Sequence, residues 1–132
     1  MFRGRKMVFG FHASEFEIDD VALRVGFAEG ENSKHYFIIQ REEDSTEEVL
    51  PKLENIYIER DDQCWGGYGG INQVSFGRNS LIIYLNSEMA NQMGGYDTIK
   101  ITFSIDDLQF QQLQNVLQKI MQSYEDRLNL TD

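Results

Sequence analysis

The stretch TIKITFSIDDLQFQQLQNVLQKIMQSY, residues 98–124, changes its period halfway along, and that change decides the fold class. Thr98, Lys100 and Thr102 alternate against Ile99, Ile101 and Phe103, the two-residue repeat of a half-buried strand. Beyond Asp106 the apolar residues Phe110, Leu113, Leu117, Ile120, Met121 and Tyr124 recur at helical spacing along one stripe. Asp106 and Gln109 form a D-x-x-Q capping box that starts the helix. Burying those six side chains contributes on the order of 10 kcal/mol before entropy is subtracted, so the helix reads as core.

Upstream, alternation continues. Met7, Phe9 and Phe11 share one face of a first strand, and Val21, Leu23, Val25 and Phe27 share one face of a second, after an Asp19-Asp20 turn. Residues 36–40, YFIIQ, form a more continuous apolar run, expected at the sheet centre and covered on both sides. Residues 56–59, IYIE, resume the strand pattern. Ile71, Val74 and Phe76 lead through Gly77-Arg78-Asn79-Ser80 into residues 81–85, which reads as an antiparallel hairpin. Ser87 is expected to cap a short helix, 88–93, that stops at Gly94 or Gly95. The expected architecture is α+β: a largely antiparallel sheet of about six to seven strands packed against a C-terminal amphipathic helix, with one short helix near 87–93. At 132 residues the chain suits a single domain, 1–132.

Twenty-two acids against twelve bases give a net charge of −10. Such a field repels nucleic acid and anionic membranes and draws in basic partners. The excess is concentrated: Glu42, Glu43, Asp44, Glu47, Glu48, Glu54, Glu59, Asp61 and Asp62 face only Lys52 and Arg60 within residues 42–62. The apolar run 7–11 is too short for a signal-peptide core, and no window approaches the ~20 apolar residues of a spanning helix, so a cytoplasmic location is expected. A lone cysteine, Cys64, suits a reducing compartment.

The acidic strip runs into residues 65–70, WGGYGG, which join the only tryptophan to four of eleven glycines. Glycine permits positive φ and close approach, while Trp65 and Tyr68 supply stiff contact area. As a recognition surface, Trp65 and Tyr68 would be anchors, Glu59, Asp61 and Asp62 would pair with a partner's cations, and Glu42, Glu43 and Asp44 would add long-range attraction. As plain architecture, the same stretch is a glycine-rich hairpin whose aromatics fold back over the sheet.

Little points to catalysis or to a cofactor. His12 and His35 lack metal-ligand spacing. Cys64 has acids beside it, which raise a thiol pKa. The glycine run lacks the Lys-Ser/Thr and the following helix of a phosphate loop, and Glu59, Asp61 and Asp62 lack a calcium-loop frame. No metal and no cofactor is expected.

The segments Val25-Gly26-Phe27-Ala28, residues 36–41, Tyr57-Ile-Glu59 with Gln63, Gly67-Tyr68-Gly69-Gly70-Ile71, and Ile99-x-Ile101-x-Phe103 before a helix resemble immunity protein family 10 of bacterial polymorphic toxin systems. The resemblance covers about residues 7–121, nearly the whole chain, and is sharpest at Tyr-x-Glu and Gly-Tyr-Gly-Gly-Ile. It implies a non-enzymatic cytosolic protein that binds and neutralises a cognate secreted toxin domain. It carries over no site residues, and Cys64 and Trp65 fall outside its pattern. The acidic strip adds the expectation that the toxin domain is basic. Two other readings stay open: a carbohydrate or small-ligand module stacking rings on Trp65 and Tyr68, and a homodimer using the 81–85 strand or the last strand, 98–103, as an open edge.

Overall fold

The computed structural model describes residues 7–30, 35–42 and 55–131. Among the described residues, ten strands form two five-stranded sheets, and two α-helices accompany them. In chain order the elements are β1 (Val8–Ala13), β2 (Glu15–Asp19), β3 (Arg24–Ala28), β4 (Tyr36–Arg41), β5 (Ile56–Arg60), β6 (Gly66–Tyr68), β7 (Ile71–Phe76), β8 (Ser80–Leu85), α1 (Ser87–Gln92), β9 (Thr98–Phe103), α2 (Asp107–Ile120) and β10 (Leu128–Leu130).

One sheet has the order β1-β9-β8-β7-β10, with parallel pairs at both edges, β1 on β9 and β10 on β7. The other is an antiparallel meander, β2-β3-β4-β5-β6. The architecture is therefore α+β with a C-terminal helix, as the change of period predicts. The expected count is lower because β6 and β10 are three-residue edge strands with little apolar signature, and β2, also an edge, runs straight into the Asp19-Asp20 turn.

The inner faces of the two sheets share one core. Phe27 of β3 stacks on Phe103 of β9, with ring centroids 6.0 Å apart. Helix α2 packs against β2 and β3 and lays Phe110 on Phe76 of β7 at 5.3 Å, so it touches both sheets. Its buried residues Leu113, Val116, Leu117 and Ile120 follow the helical stripe, with Val116 added to it. Both halves of its capping box form: Asp106 accepts from the Gln109 amide, and the Gln109 side chain accepts from the Asp106 amide. The β7–β8 hairpin forms as read.

Four local expectations are corrected. Val21 is 91% exposed, because residues 20–23 make a turn in which Asp19 accepts from the Val21 and Ala22 amides, and β3 starts only at Arg24. Met7 precedes β1 and is exposed, so Phe9, Phe11 and Ala13 form its inner row. Asn86, not Ser87, caps α1, accepting from the Met89 amide at 2.8 Å; the helix begins one residue earlier than the serine suggests. Strand β4 is central, but only Phe37 and Ile39 are fully buried; Tyr36, Ile38 and Gln40 lie on a half-exposed outer face, so the strand is not covered on both sides.

Candidate functional site

The acidic strip and the WGGYGG run meet on the meander sheet, and strand parity decides what each side chain does. Strand β5 turns Ile56, Ile58 and Arg60 inward and Tyr57 and Glu59 outward. Strand β6 pairs with it, setting Tyr68 opposite Tyr57 and Gly66 opposite Glu59. Trp65, bonded through its carbonyl to the Arg60 amide, falls on the inner side. Trp65 and Tyr68 therefore face opposite ways and do not make one tip; their odd spacing of three sends them to opposite sides of an extended chain.

On the inner side the Arg60 guanidinium is ringed by aromatics, 4.8 Å from Trp65 and 5.0 Å from each of Phe9 and Tyr96. Its Nε and Nη2 donate to the Met93 carbonyl at 3.0 and 2.8 Å. Arg60 thus ties β5 to the end of α1, and Trp65, 36% exposed, covers the tie. Gly94, at φ +85°, allows this, since a Cβ there would stand 2.5 Å from Arg60 Nη2. Gly70 does the same for α1: its φ is +81°, and a Cβ would stand 2.4 Å from Cβ of Met89. Gly66 is likewise required, since a Cβ there would stand 2.7 Å from Tyr57 Oη, so Gly66 and Gly70 of the glycine run are architecture. Between β6 and α1 the run leaves an open cavity of about 400 Å³, lined by Gly67, Tyr68, Gly70, Asn86 and Met89 among others.

The outer side is different in kind. Glu59 is 92% buried as a residue, yet it lies on this face because tyrosines roof it. Tyr36 Oη donates to its Oε2 at 2.5 Å and Tyr57 Oη to its Oε1 at 2.6 Å. Burial, then the bond to Glu59, push Tyr57 up to about 12 and Tyr36 higher still, so both phenols stay protonated donors. Glu59 is thereby corrected: it is an internal acceptor, not a free rim acid. Asp61, at φ +63°, is also engaged, accepting from the Tyr36 amide at 3.0 Å and lying 3.0 Å from His35 Nδ1.

Of the remaining expected residues, Asp62 is exposed, and bonds from the Cys64 backbone keep its carboxyl below the ordinary range. Tyr68 is 54% exposed, and desolvation and the Glu42 carboxylate raise its pKa. Glu42, half-buried, accepts from Gln40. Glu43 and Asp44 lie outside the described residues, as does most of the acidic connector. The sequence reading passed over Glu15, Glu17, Tyr36 and Tyr57, all on the outer face; the E-F-E-I-D alternation of β2 was the available signal for the first two.

Counted across the strands, the outer face of the meander carries Glu15, Glu17, Asp19 and Glu59 against Arg24, with Tyr36, Tyr57 and Tyr68 between them. The outer face of the other sheet has His12, Lys100, Thr102, Ile82, Tyr84 and Ser75, and its strands set no acid there. Chemistry of other kinds finds little here. Among the described residues no three His, Cys, Asp or Glu side chains are grouped to hold a metal ion, and desolvation and Asp62 push the exposed Cys64 thiol up, away from the thiolate. No described helix is long and apolar enough to cross a membrane.

The profile of a protein family described as Immunity protein 10 matches residues 11–111. No curated protein and no solved structure matches the chain.

Proposed function

This chain belongs to the Immunity protein 10 family, and from that premise we propose that it neutralises a secreted bacterial toxin domain by binding it through the outer face of the β2–β6 sheet, with no bond-making of its own. The observation that carries the reading is the asymmetry of the two sheets: acids gather with three tyrosines on one outer face, whereas the strands of the other set no acid there and one tyrosine, Tyr84. A net charge of −10 steers such a face toward a basic surface and speeds encounter. Tyr68 and Tyr57, whose ring centroids are 5.0 Å apart, form a half-exposed pair suited to be an anchor of the contact, with Glu42 beside Tyr68 and with Glu15 and Glu17 on β2 at the opposite edge of the sheet. Trp65 borders the patch from the inner side.

In the cell the partner is a toxin domain encoded beside this chain, met in the cytoplasm. Co-expression tests this. Cells producing the product of the neighbouring upstream reading frame should die without this protein and survive with it. Equal killing in both cultures refutes the reading.

A further inference from the structure

Register aligns one row of outer-face residues across all five strands of the meander: Glu17, Gly26, Ile38, Glu59 and Gly66. Two of the five have no side chain, so the row is a trough. Over β2–β4 it is a groove of about 230 Å³ whose lining includes Glu17, Arg24, Gly26, Ala28, Tyr36 and Ile38. Its floor is apolar and its ends are carboxylates.

The deep end is the chemically unusual part. Glu59 holds its charge on two phenol protons, and no Lys or Arg among the described residues lies in ion-pair range of it; Arg24 pairs with Glu17 instead, at 3.6 Å, and Arg60 with Asp61. A carboxylate has about four acceptor positions, of which the tyrosines fill two. Each phenol has spent its only proton inward and can offer the outside nothing but lone pairs. The Tyr36–Glu59–Tyr57 group is therefore an anion that presents acceptors alone.

We infer that this trough seats an arginine side chain of the protein partner, its stem over Gly26 and Ile38 and its guanidinium against Tyr36, Glu59 and Tyr57; this rests on the reading that the outer face meets a basic toxin domain. A planar fork of five donors matches acceptors spread over two phenols and a carboxylate, which a single ammonium cannot span. The tyrosine flanks add cation–π attraction.

The probe is N-acetyl-argininamide, titrated into the isotopically labelled full chain and followed by amide chemical shifts. Saturable shifts confined to Gly26, Ile38, Glu59 and Gly66 are expected, with smaller ones from the lysine counterpart and none from the neutral citrulline counterpart. E59Q should abolish them. Gly26→Val is the second variant: a Cβ at Gly26 meets its nearest neighbour, Glu17 Cβ, at an ordinary 3.7 Å, and the methyls beyond it occupy the trough two strands away from Glu59. It too should abolish the shifts. Shifts absent from the row, equal with citrulline, or retained in both variants overturn the inference. A trough that ignores argininamide in a chain that still protects cells sinks this inference alone. A trough that takes it in a chain giving no protection sinks the immunity reading instead.

Discussion

Gly70→Ala is the sharpest test of how the glycine run is used. Gly70 sits at φ +81° where β6 passes under α1, and an added methyl would stand 2.4 Å from Met89 Cβ and 3.0 Å from its Cγ. The first of these is tethered to helix backbone and cannot swing away. A non-glycine residue in the left-handed region costs about 1–2 kcal/mol, and overpacking a tight contact costs about 1–3 kcal/mol more. The sum, roughly 2–5 kcal/mol, is a large part of the ~5–15 kcal/mol that holds a typical domain together. At about 3 °C per kcal/mol for a chain of this size, Tm should fall by roughly 6–15 °C. Gly95→Ala separates the two contributions: its φ is +98° but nothing lies within 4 Å, so only the backbone cost, about 1–2 kcal/mol, should appear. Urea denaturation of both variants and the parent decides the matter. Equal losses at Gly70 and Gly95 would refute the wedging of α1 against β6 and return the glycines to a recognition role.

Three further outcomes follow from the same geometry. Arg60→Met should cost about 2–4 kcal/mol, since it strips the donors from the Met93 carbonyl and the cation from its aromatic ring, and should red-shift Trp65 emission in the folded state; unchanged emission would contradict the cage. Tyr57 titrates near 12 when folded against 10.0 when free, so its contribution to stability is complete below pH 10 and is lost as pH rises through 12; Tyr57→Phe should flatten the alkaline limb of a stability–pH curve. Cys64, with its pKa raised, should react with iodoacetamide more slowly at pH 7 than a free cysteine does, and faster labelling would revive a nucleophilic role.

Much of the fold could be read directly, where period and punctuation agree. Strands β7, β8 and β9 and helix α2 carry apolar alternation or a clean stripe, bounded by Gly77–Ser80, the Gly94-Gly95 stop and the Asp106 cap. Strand β2 carries the two-residue alternation in E-F-E-I-D, but its five residues run directly into the Asp19-Asp20 turn, whose acids mask the strand as a connection. The three residues of β10 are held by parallel pairing with β7, a contact more than fifty residues distant that leaves no local trace. Val21 shares the parity of Val25 and Phe27, but the turn at residues 20–23 resets that parity and leaves Val21 in solvent. The site was half legible. Tyr68 and Asp62 stand outward, but Glu59 was read as a rim acid because sequence does not show the tyrosines that cover it: Tyr57 lies two residues away, but Tyr36 is brought by β4 from 23 residues upstream. That Trp65 and Tyr68 oppose each other needed only the knowledge that β6 is a strand.

The dissociation constant of the proposed partner, a toxin domain, measured for face-specific variants, bears most directly on the role of the outer meander face. Glu17→Lys combined with Tyr68→Ala should weaken binding by about 30-fold or more, the effect of losing roughly 2 kcal/mol at an anchor, while Thr102→Lys on the opposite sheet should leave it nearly unchanged. Full affinity in the first variant, or its loss in the second, would place the interface elsewhere.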